Sequence, residues 1–240
     1  MSPELSIVIP VYNEPDNIGA TLQRIADHVT TPHEILVVYD FDADTTVPVV
    51  RELLAGMPAV RLHRNDIGRG VLNAMKAGIA ASTAPLVLIT MADGSDEMDR
   101  VDEMVRLGTE GAAVVAGSRY MKGGGQVGGP MVKRTLSRMA GLSLHWFAGV
   151  PIHDATSNFK LYRRDFLDSI TIESTGGFEL ALELTAKAAR AGRRMAEVPT
   201  TWRDRTAGES QFKIRAWLPK YLRWYLHALG GRFARVLPTR

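Results

Sequence analysis

Four acidic residues are clustered in the segment that follows a short apolar run. Leu86–Thr90 are all apolar or β-branched, and the acids come within the next nine positions: Asp93, Asp96, Glu97 and Asp99. An apolar run that ends in turn residues indicates a buried parallel strand, and open α/β sheets bind ligands just beyond the carboxyl ends of such strands. Clustered hard oxygen donors suit Mg²⁺ or Mn²⁺ carrying a diphosphate. The alternative is that these acids cap the next helix.

The elements that must position these acids alternate between strands and helices up to residue 118. Strands are predicted at Ser6–Val11, Glu34–Tyr39, Val60–Arg64, Leu86–Met91 and Ala112–Gly117, with helices between them. This alternation predicts an α/β fold with a mostly parallel sheet and right-handed crossovers. The carboxyl ends of the strands then share one edge, which we expect to be the active cleft.

Composition and missing motifs exclude several classes of protein. The 240 residues contain no cysteine, which excludes disulfides, thiolate zinc sites and a cysteine nucleophile. No G-x-G-x-x-G follows the first strand and no Walker A sequence occurs, which disfavours a dinucleotide-binding dehydrogenase and a P-loop enzyme. No signal peptide and no window of about 18 apolar residues is visible, so we expect a single-domain cytoplasmic protein.

The second half is less regular. Lys122–Pro130 has five glycines in nine residues, which fits either a mobile lid or a mere linker. Beyond it we predict helices at Met131–Phe147, Phe178–Ala191 and Ile214–Leu229, a loop entering a strand at His153–Arg164, a strand at Met195–Thr201 and a polar loop at Arg203–Gln211.

Charge is distributed unevenly along the chain. The net charge is only +3, but the region from Arg190 to Arg240 is rich in arginine and lysine and holds just three acids. Its last helix mixes basic residues with aromatic ones: Trp217, Tyr221, Trp224 and Tyr225. Such a helix lies at a membrane interface or packs its aromatic face into the core. Nucleic-acid binding is disfavoured because the basic excess is small and no recognition motif occurs.

Several segments together resemble family 2 glycosyltransferases of GT-A fold. They are P-V-Y-N-E (Pro10–Glu14), the acidic end of strand two, M-A-D (Met91–Asp93) and A-G-S-R-Y (Ala116–Tyr120). Later segments resemble the polyprenyl-phosphate (dolichol-phosphate) mannosyltransferase branch: Asp154–Arg164, Gly177–Leu184, Glu197–Trp202 and Arg205–Phe212. The resemblance covers about residues 5 to 226. It implies a nucleotide-sugar-binding half (1–120), an acceptor-binding half (121–212) and a C-terminal basic and aromatic helix (213–240).

The resemblance implies where the donor binds. The nucleotide would meet Pro10, Tyr12, Glu14 and Asp40, and the divalent cation, Mg²⁺ or Mn²⁺, would be held by Asp93 with Asp96. The chain departs from the family at the first acid of its D-x-D motif, where it has Met91, and a thioether is a poor ligand for a hard cation. Either Asp93 and Asp96 hold the metal in a shifted geometry, or metal dependence is weakened, or the chain is an inactive relative.

The resemblance also implies the remaining roles. The acceptor phosphate would meet Arg119, Arg134 and Ser157, and Arg205 and Lys213 would close over the donor diphosphate. Asp154 would act as a base toward a sugar hydroxyl, orient Arg119 or cap a turn.

The resulting hypothesis is an inverting transferase that moves a hexose, mannose from GDP-mannose, to a polyprenyl phosphate, with peripheral membrane contact. The alternatives are a UDP-sugar enzyme with a soluble acceptor, or a nucleotide-sugar-binding relative without turnover. The sequence does not give the oligomeric state.

Overall fold

The computed structural model describes residues 2–204 and 214–236. A seven-stranded sheet in the order β3-β2-β1-β4-β7-β5-β8 forms its centre. The strands span Leu5–Pro10 (β1), His33–Tyr39 (β2), Val60–Arg64 (β3), Leu86–Ile89 (β4), Val114–Ser118 (β5), Lys160–Arg163 (β7) and Met195–Pro199 (β8). All neighbouring strands pair in parallel except β7, which runs antiparallel to β4 and β5. The predicted mostly parallel GT-A-like sheet is confirmed.

Helices cover both faces of this sheet. They span Pro15–His28 (α1), Thr46–Leu53 (α2), Val71–Ala81 (α3), Val101–Thr109 (α4), Met131–Ser143 (α5), Arg164–Asp168 (α6), Leu180–Arg190 (α7) and Ile214–Val236 (α8). A 3₁₀ turn (Met98–Arg100) precedes α4, and a π-helical turn (Leu144–Ala148) extends α5. Helices α1, α2 and α4 pack on one face, and α3, α7 and α8 on the other.

The central strands are buried on both faces, which explains their continuous apolar sequences. In β1, for example, Ile7 and Ile9 face the α1–α2–α4 layer, whereas Val8 between them faces the opposite layer. The carboxyl ends of β2, β1 and β4, which are neighbours in the sheet, therefore carry the polar loops to a common edge.

The glycine-rich segment departs from the expectation of a lid or a linker. Gly125–Val127 form a short strand, β6, which pairs in parallel with β9 (Thr201–Arg203) in a second sheet. A Cβ on Gly124 would collide with the backbone carbonyl oxygen of Ser118. The glycine therefore allows a close backbone approach, and the segment is built into the fold beside the end of β5.

The aromatic face of α8 packs into the core, as one of the two alternatives for this helix predicted. Trp224 is buried, and the hydroxyl of Tyr221 donates to the carbonyl oxygen of Phe178 at 2.8 Å. The hydroxyl of Tyr225 donates to Ser143 Oγ on α5 at 2.9 Å. Among the described helices, none is long and apolar enough to cross a membrane.

Candidate active site

The loop after β1 is fixed by the loop after β2. Asn13 has a φ of 52°, and its backbone N–H donates to the carboxylate of Asp44 at 3.2 Å. Asp44 is buried, and the Asn13 side chain in turn accepts from the Thr45 N–H at 3.1 Å. The turn that carries Tyr12 and Glu14 therefore has a defined position at the sheet edge. The sequence analysis did not assign this role to Asp44.

Two of the predicted nucleotide residues extend from the end of β1. Pro10 is the last residue of the strand and is buried, whereas Tyr12 is exposed. Glu14 opens α1, and its Oε2 accepts from Asn17 Nδ2 at 2.7 Å.

Asp40, at the end of β2, organises the loop that follows β3. Its carboxylate accepts from Asn65 Nδ2 and from the Gly70 N–H, each at 2.7 Å. Next to it, the Phe41 ring meets the Tyr12 ring edge-on at 5.8 Å, and the Arg69 guanidinium lies 5.1 Å from the Phe41 ring centre. The sequence analysis missed Phe41 and Arg69, because only the fold places the three loops side by side.

The acids after β4 divide into two kinds. Asp93 is half-buried, and its Oδ1 accepts from the Ser95 N–H at 3.1 Å. Asp96 is buried and accepts from Thr90 Oγ1 at 2.8 Å. Burial, reinforced by the charge of Asp93, raises the pKa of Asp96 to about 7. Asp93 thus offers the more accessible carboxylate of the two predicted metal ligands.

The other two acids of this cluster act structurally. Glu97 accepts from the Thr201 N–H at 2.8 Å and so connects the loop to β9. Asp99 is exposed and pairs with Arg100 at 3.8 Å. Neither the 3₁₀ turn nor α4 begins with a side-chain cap hydrogen bond, so these two acids serve the fold through β9 and Arg100 and do not show the helix capping that was the alternative.

Helix α1 holds the acidic loop in place. Thr21 Oγ1 donates to the carbonyl oxygen of Ala92 at 2.7 Å, and Arg24 donates to the carbonyl oxygens of Gly94 (2.5 Å) and Asp96 (2.8 Å). These contacts fix the backbone around Asp93. They were not predicted, because polar residues on an amphipathic helix look like surface residues until their tertiary partners are known.

Arg119, at the end of β5, forms a buried ion pair with Asp154. Arg119 Nε lies 2.7 Å from Asp154 Oδ2, and Nη2 lies 3.0 Å from Oδ1. Burial opposes ionisation of Asp154, but the charge and hydrogen bonds of Arg119 outweigh it and lower its pKa to about 2. Asp154 also accepts from the N–H groups of Thr156 and Ser157. It therefore both orients Arg119 and caps a turn, two of the three roles considered for it.

Ser137 on helix α5 contacts Arg119 of the Arg119–Asp154 pair. The Oγ of Ser137 accepts from Arg119 Nη2 at 3.1 Å and from the Tyr120 hydroxyl at 2.8 Å. Arg134, one turn earlier on α5, is exposed, and its charge acts on Tyr120. The predicted acceptor residues Arg119, Arg134 and Ser157 are thus gathered around the end of β5 and the start of α5.

A second buried charge network lies behind Asp154. Lys160 on β7 is fully buried, donates from Nζ to the carbonyl oxygen of Ser157, and has its pKa lowered to about 8 by burial. His153 Nδ1 lies 2.5 Å from Glu197 Oε1, and its ring stacks on His145 at 4.1 Å. His153 therefore contacts both Glu197 and His145.

Two of the predicted site residues, Arg205 and Lys213, lie outside the described residues. Among residues 2–204 and 214–236, no group of three or more histidine, aspartate or glutamate side chains is gathered as a metal site.

The acidic loop after β4 and Arg119 after β5 are electrostatically connected. Strand order brings Glu14, Asp40 and Asp93 to adjacent strand ends, and β5 lies two strands beyond β4. The charges of Asp96 and Arg119 act on each other across that gap. This edge of the sheet therefore carries carboxylates at the ends of β1, β2 and β4. Further along it, after β5, lies the guanidinium of Arg119, which is paired with Asp154.

Comparison with known families shows the family to which this chain belongs. The model of the family described as "Glycosyl transferase family 2" matches residues 6–171, which include every strand of the main sheet except β8. The chain belongs to this family. As a family 2 glycosyltransferase it is an enzyme that depends on a nucleotide sugar.

Named relatives of this glycosyltransferase align over most of its length. Polyprenol monophosphomannose synthase of Mycolicibacterium smegmatis is 30% identical over 228 residues, covering 88% of this chain and 85% of the relative. Undecaprenyl-phosphate mannosyltransferase of Micrococcus luteus is 32% identical over 213 residues and covers 85% of each chain.

Solved structures confirm the fold of the glycosyltransferase. Glucosyl-3-phosphoglycerate synthase from Mycobacterium tuberculosis, in complex with phosphoglyceric acid, superposes with a TM-score of 0.70 at 18% identity, over 95% of this chain and 81% of that one. A mannosyltransferase from Pyrobaculum calidifontis, in complex with GDP-Man and Mn²⁺, gives a TM-score of 0.65 at 18% identity, over 100% and 66% of the two chains.

Proposed function

We propose that this glycosyltransferase moves mannose from GDP-mannose to a polyprenyl phosphate with inversion at the anomeric carbon. The observation that carries the proposal is the match to relatives named for polyprenol-phosphate mannose transfer, 30% and 32% identical over most of both chains. The arrangement of charges at the sheet edge supports it independently.

The donor base binds at the ends of β1, β2 and β3. Tyr12 is exposed and Phe41 is half-buried, so both rings offer surface for stacking, and Arg69 lies over Phe41 beside Asp40. Arginine donates well to O6 and N7 of guanine, and the Asp40 carboxylate accepts from the N–H groups on the adjacent edge of the base. Only guanine presents O6 and N7 together on one edge, so a bidentate contact from Arg69 would favour GDP over UDP.

Asp93 is the residue that would hold the divalent cation. Mg²⁺ is often bound by one or two carboxylates together with substrate phosphates, so the half-buried carboxylate of Asp93 fits that ligand set. When bound, the cation neutralises the charge that develops on the leaving diphosphate. The protein contributes by fixing the Asp93 loop through Thr21 and Arg24.

The acceptor phosphate binds at Arg119 and Arg134. Guanidinium groups form strong charge-assisted hydrogen bonds with phosphate oxygens, and the backbone around Ser157 lies against the same carboxylate that orients Arg119. Asp154 acts as a positioning residue, because its carboxylate is buried and already committed to Arg119.

The reaction needs no protein base. A phosphate monoester has a second pKa of about 6 and is mostly dianionic at neutral pH. One of its oxygens forms the new bond to the anomeric carbon while the bond to the diphosphate breaks, and GDP leaves with the electron pair. Attack from the face opposite the leaving group inverts the configuration.

The experiment that tests this function is a transfer assay with a short prenyl phosphate as the acceptor. GDP-mannose and UDP-glucose are compared as donors, each with and without Mn²⁺, and the anomeric configuration of the product is read by NMR. We expect transfer from GDP-mannose that depends on Mn²⁺ and yields the inverted product.

Each alternative has its own signature in the same assay. Transfer from UDP-glucose to phosphoglyceric acid, with none to the prenyl phosphate, favours a soluble acceptor. Nucleotide-sugar binding by calorimetry without transfer to any acceptor favours an inactive relative. Either result overturns the proposal.

A further inference from the structure

Lys160 is a buried cation within the main sheet. On β7 it is paired with Ala116 of β5, and Ala116 is in turn paired with Glu197 of β8. Side chains of residues paired across neighbouring strands lie on the same face of a sheet. Lys160 and Glu197 therefore flank the small side chain of Ala116 on one face, and Lys160 has no exposed surface.

A buried ammonium group is costly without partners, and Lys160 has them. Its Nζ donates to the carbonyl oxygen of Ser157, and the charges of Asp154 and Glu197 both favour its protonated form. The charge of Arg119 acts on it in the opposite sense. Lys160, Arg119, Asp154 and Glu197 thus form a cluster of two cations and two anions, which we call the Lys160 cluster.

The turn at residues 154–157 is held by this cluster from two sides. The N–H of Ser157 donates to Asp154 Oδ1 at 3.1 Å, and the carbonyl oxygen of Ser157 accepts from Lys160. Asp154 also accepts from Nε and Nη2 of Arg119. Lys160 therefore fixes the backbone that places Asp154 against the guanidinium.

The charges of the cluster show why a second cation is useful here. Asp154 by itself would largely cancel the charge of Arg119 and weaken its attraction for a phosphate. Lys160 offsets Asp154 from inside the protein, where charges act more strongly on each other than in water. Glu197 balances Lys160 in part, but it also accepts from the His153 N–H at 2.8 Å.

We propose that Lys160 is a positioning residue for the acceptor phosphate: it holds the 154–157 turn and offsets Asp154, so that Arg119 keeps its attraction for a dianion. Because Lys160 is buried, it acts through Asp154 and Ser157 and not by contact with the phosphate. The inference rests on the proposed function, in which the acceptor is a phosphate.

The pKa of Lys160 gives this role a measurable signature. Burial lowers that pKa to about 8. Lys160 is therefore mostly charged at pH 7.5 and loses its proton as the pH rises to 9. If its charge supports phosphate binding, the affinity for the phosphate falls over the same range.

Other ionisable groups lie around the Lys160 cluster. Burial raises the pKa of Tyr120 and that of Tyr221 on α8, so both hydroxyls stay neutral in this range. Glu179, which precedes α7, acts on Tyr221. Asp96 has a pKa of about 7 and is mostly ionised above pH 7.5. A pH response that disappears when Lys160 is replaced therefore belongs to Lys160.

The test is the binding of geranyl phosphate, a short prenyl phosphate, to the full-length protein, measured by calorimetry with GDP and Mg²⁺ present. The phosphate has a second pKa of about 6 and stays dianionic from pH 7.5 to pH 9. Binding by the wild type should weaken about fourfold over this range as Lys160 loses its proton. Lys160→Met removes the charge at similar volume, so it should bind about tenfold more weakly at pH 7.5 and lose this pH response.

Two further variants separate charge from packing. Lys160→Arg keeps its charge at every pH, because a guanidinium does not lose its proton in proteins. It should bind like the wild type at pH 7.5 and keep that affinity at pH 9. Lys187→Met is the matched control, since Lys187 pairs with the buried Glu183 on α7, and it should bind like the wild type. The affinity for GDP should be the same in all four proteins, and thermal unfolding checks that each is folded.

Three outcomes overturn the inference. They are no binding of geranyl phosphate by the wild type, a wild-type affinity that stays constant between pH 7.5 and pH 9, and equal affinities of the wild type and Lys160→Met. The pH series uses the wild type alone, so it does not depend on the folding of a variant.

Transfer from GDP-mannose to geranyl phosphate is measured in parallel. Binding with the expected pH response but without transfer rejects the proposed function alone. Transfer by the wild type, with an affinity for geranyl phosphate that Lys160→Met leaves unchanged, rejects the role of Lys160 alone.

Discussion

Asp154 holds Arg119 by a two-pronged contact, with Nε 2.7 Å from Oδ2 and Nη2 3.0 Å from Oδ1, and Asp154 has no exposed surface. A carboxylate fully removed from water needs such a partner, since an unpaired buried charge is strongly destabilising. The pair joins the end of β5 to the loop before β7, so the position of the guanidinium depends on the tertiary fold.

Asp154→Asn should lower the free energy of unfolding by about 3 kcal/mol, because it leaves the buried guanidinium without a counter-charge. Urea denaturation of the variant and the wild type measures the difference. Asp165→Asn is the control, since Asp165 pairs with Arg163 on the surface, and exposed pairs contribute about 1 kcal/mol or less. If Asp154→Asn and Asp165→Asn lower the free energy of unfolding equally, the buried pair stabilises the fold no more than the surface pair does.

Acid should remove the stabilisation that Asp154 provides. Its pKa in the folded state, about 2, is below the ordinary value of about 3.9 in unfolded chains. The contribution is therefore complete above pH 4 and is lost as the pH falls from about 4 to about 2. Denaturation of the wild type and of Asp154→Asn across this range should show that the difference in their free energies of unfolding becomes smaller as the pH falls. A difference that stays constant would contradict a pKa of about 2 for Asp154.

Asp93→Ala should reduce transfer by at least about a hundredfold while the melting temperature stays near that of the wild type, because the variant lacks the carboxylate that would hold the cation, and the cation would neutralise the charge developing on the leaving diphosphate. The steady-state rate is measured over a Mn²⁺ titration, together with thermal unfolding. Asp99→Ala, an exposed acid of the same loop, serves as the control and should keep its rate. Near-normal turnover of Asp93→Ala would show that Asp93 is not a metal ligand.

Arg134→Ala should raise the KM for the acceptor phosphate about tenfold and leave the Kd for GDP unchanged, because one charge-assisted contact with phosphate is lost. Initial rates over an acceptor titration, with calorimetry for GDP, separate the two effects. Arg138→Ala, one turn further along α5 and also exposed, is the matched control. A rise in KM of the same size for both variants would indicate general attraction by the helix charge.

Arg69→Ala and Phe41→Ala should each weaken GDP binding about tenfold, within the range of about 1–3 kcal/mol measured for stacking of one base. Arg69→Ala should also narrow the preference for GDP over UDP, because its donors face the purine edge. Calorimetry with both nucleotides measures this. Ile67→Ala removes a neighbouring exposed apolar side chain and should bind both nucleotides normally. Unchanged GDP binding by both Arg69→Ala and Phe41→Ala would show that the base binds elsewhere.

The sequence by itself determined the architecture. The apolar strands are buried on both faces, so their runs stand out from the amphipathic helices, and most predicted elements occur within two residues of their predicted ends. The acids at the ends of β2 and β4 were also visible, because parallel strands deliver their carboxyl ends to one edge. Asp40 and Asp93 lie there. The motifs further indicated the family.

Only the tertiary structure decided which polar residues act together. Arg24 lies 70 residues from Gly94 in the chain and Arg119 lies 35 from Asp154, yet each pair is in hydrogen-bond contact. A hydrogen bond depends on distance and angle in space, and spacing along the chain does not encode these for remote residues.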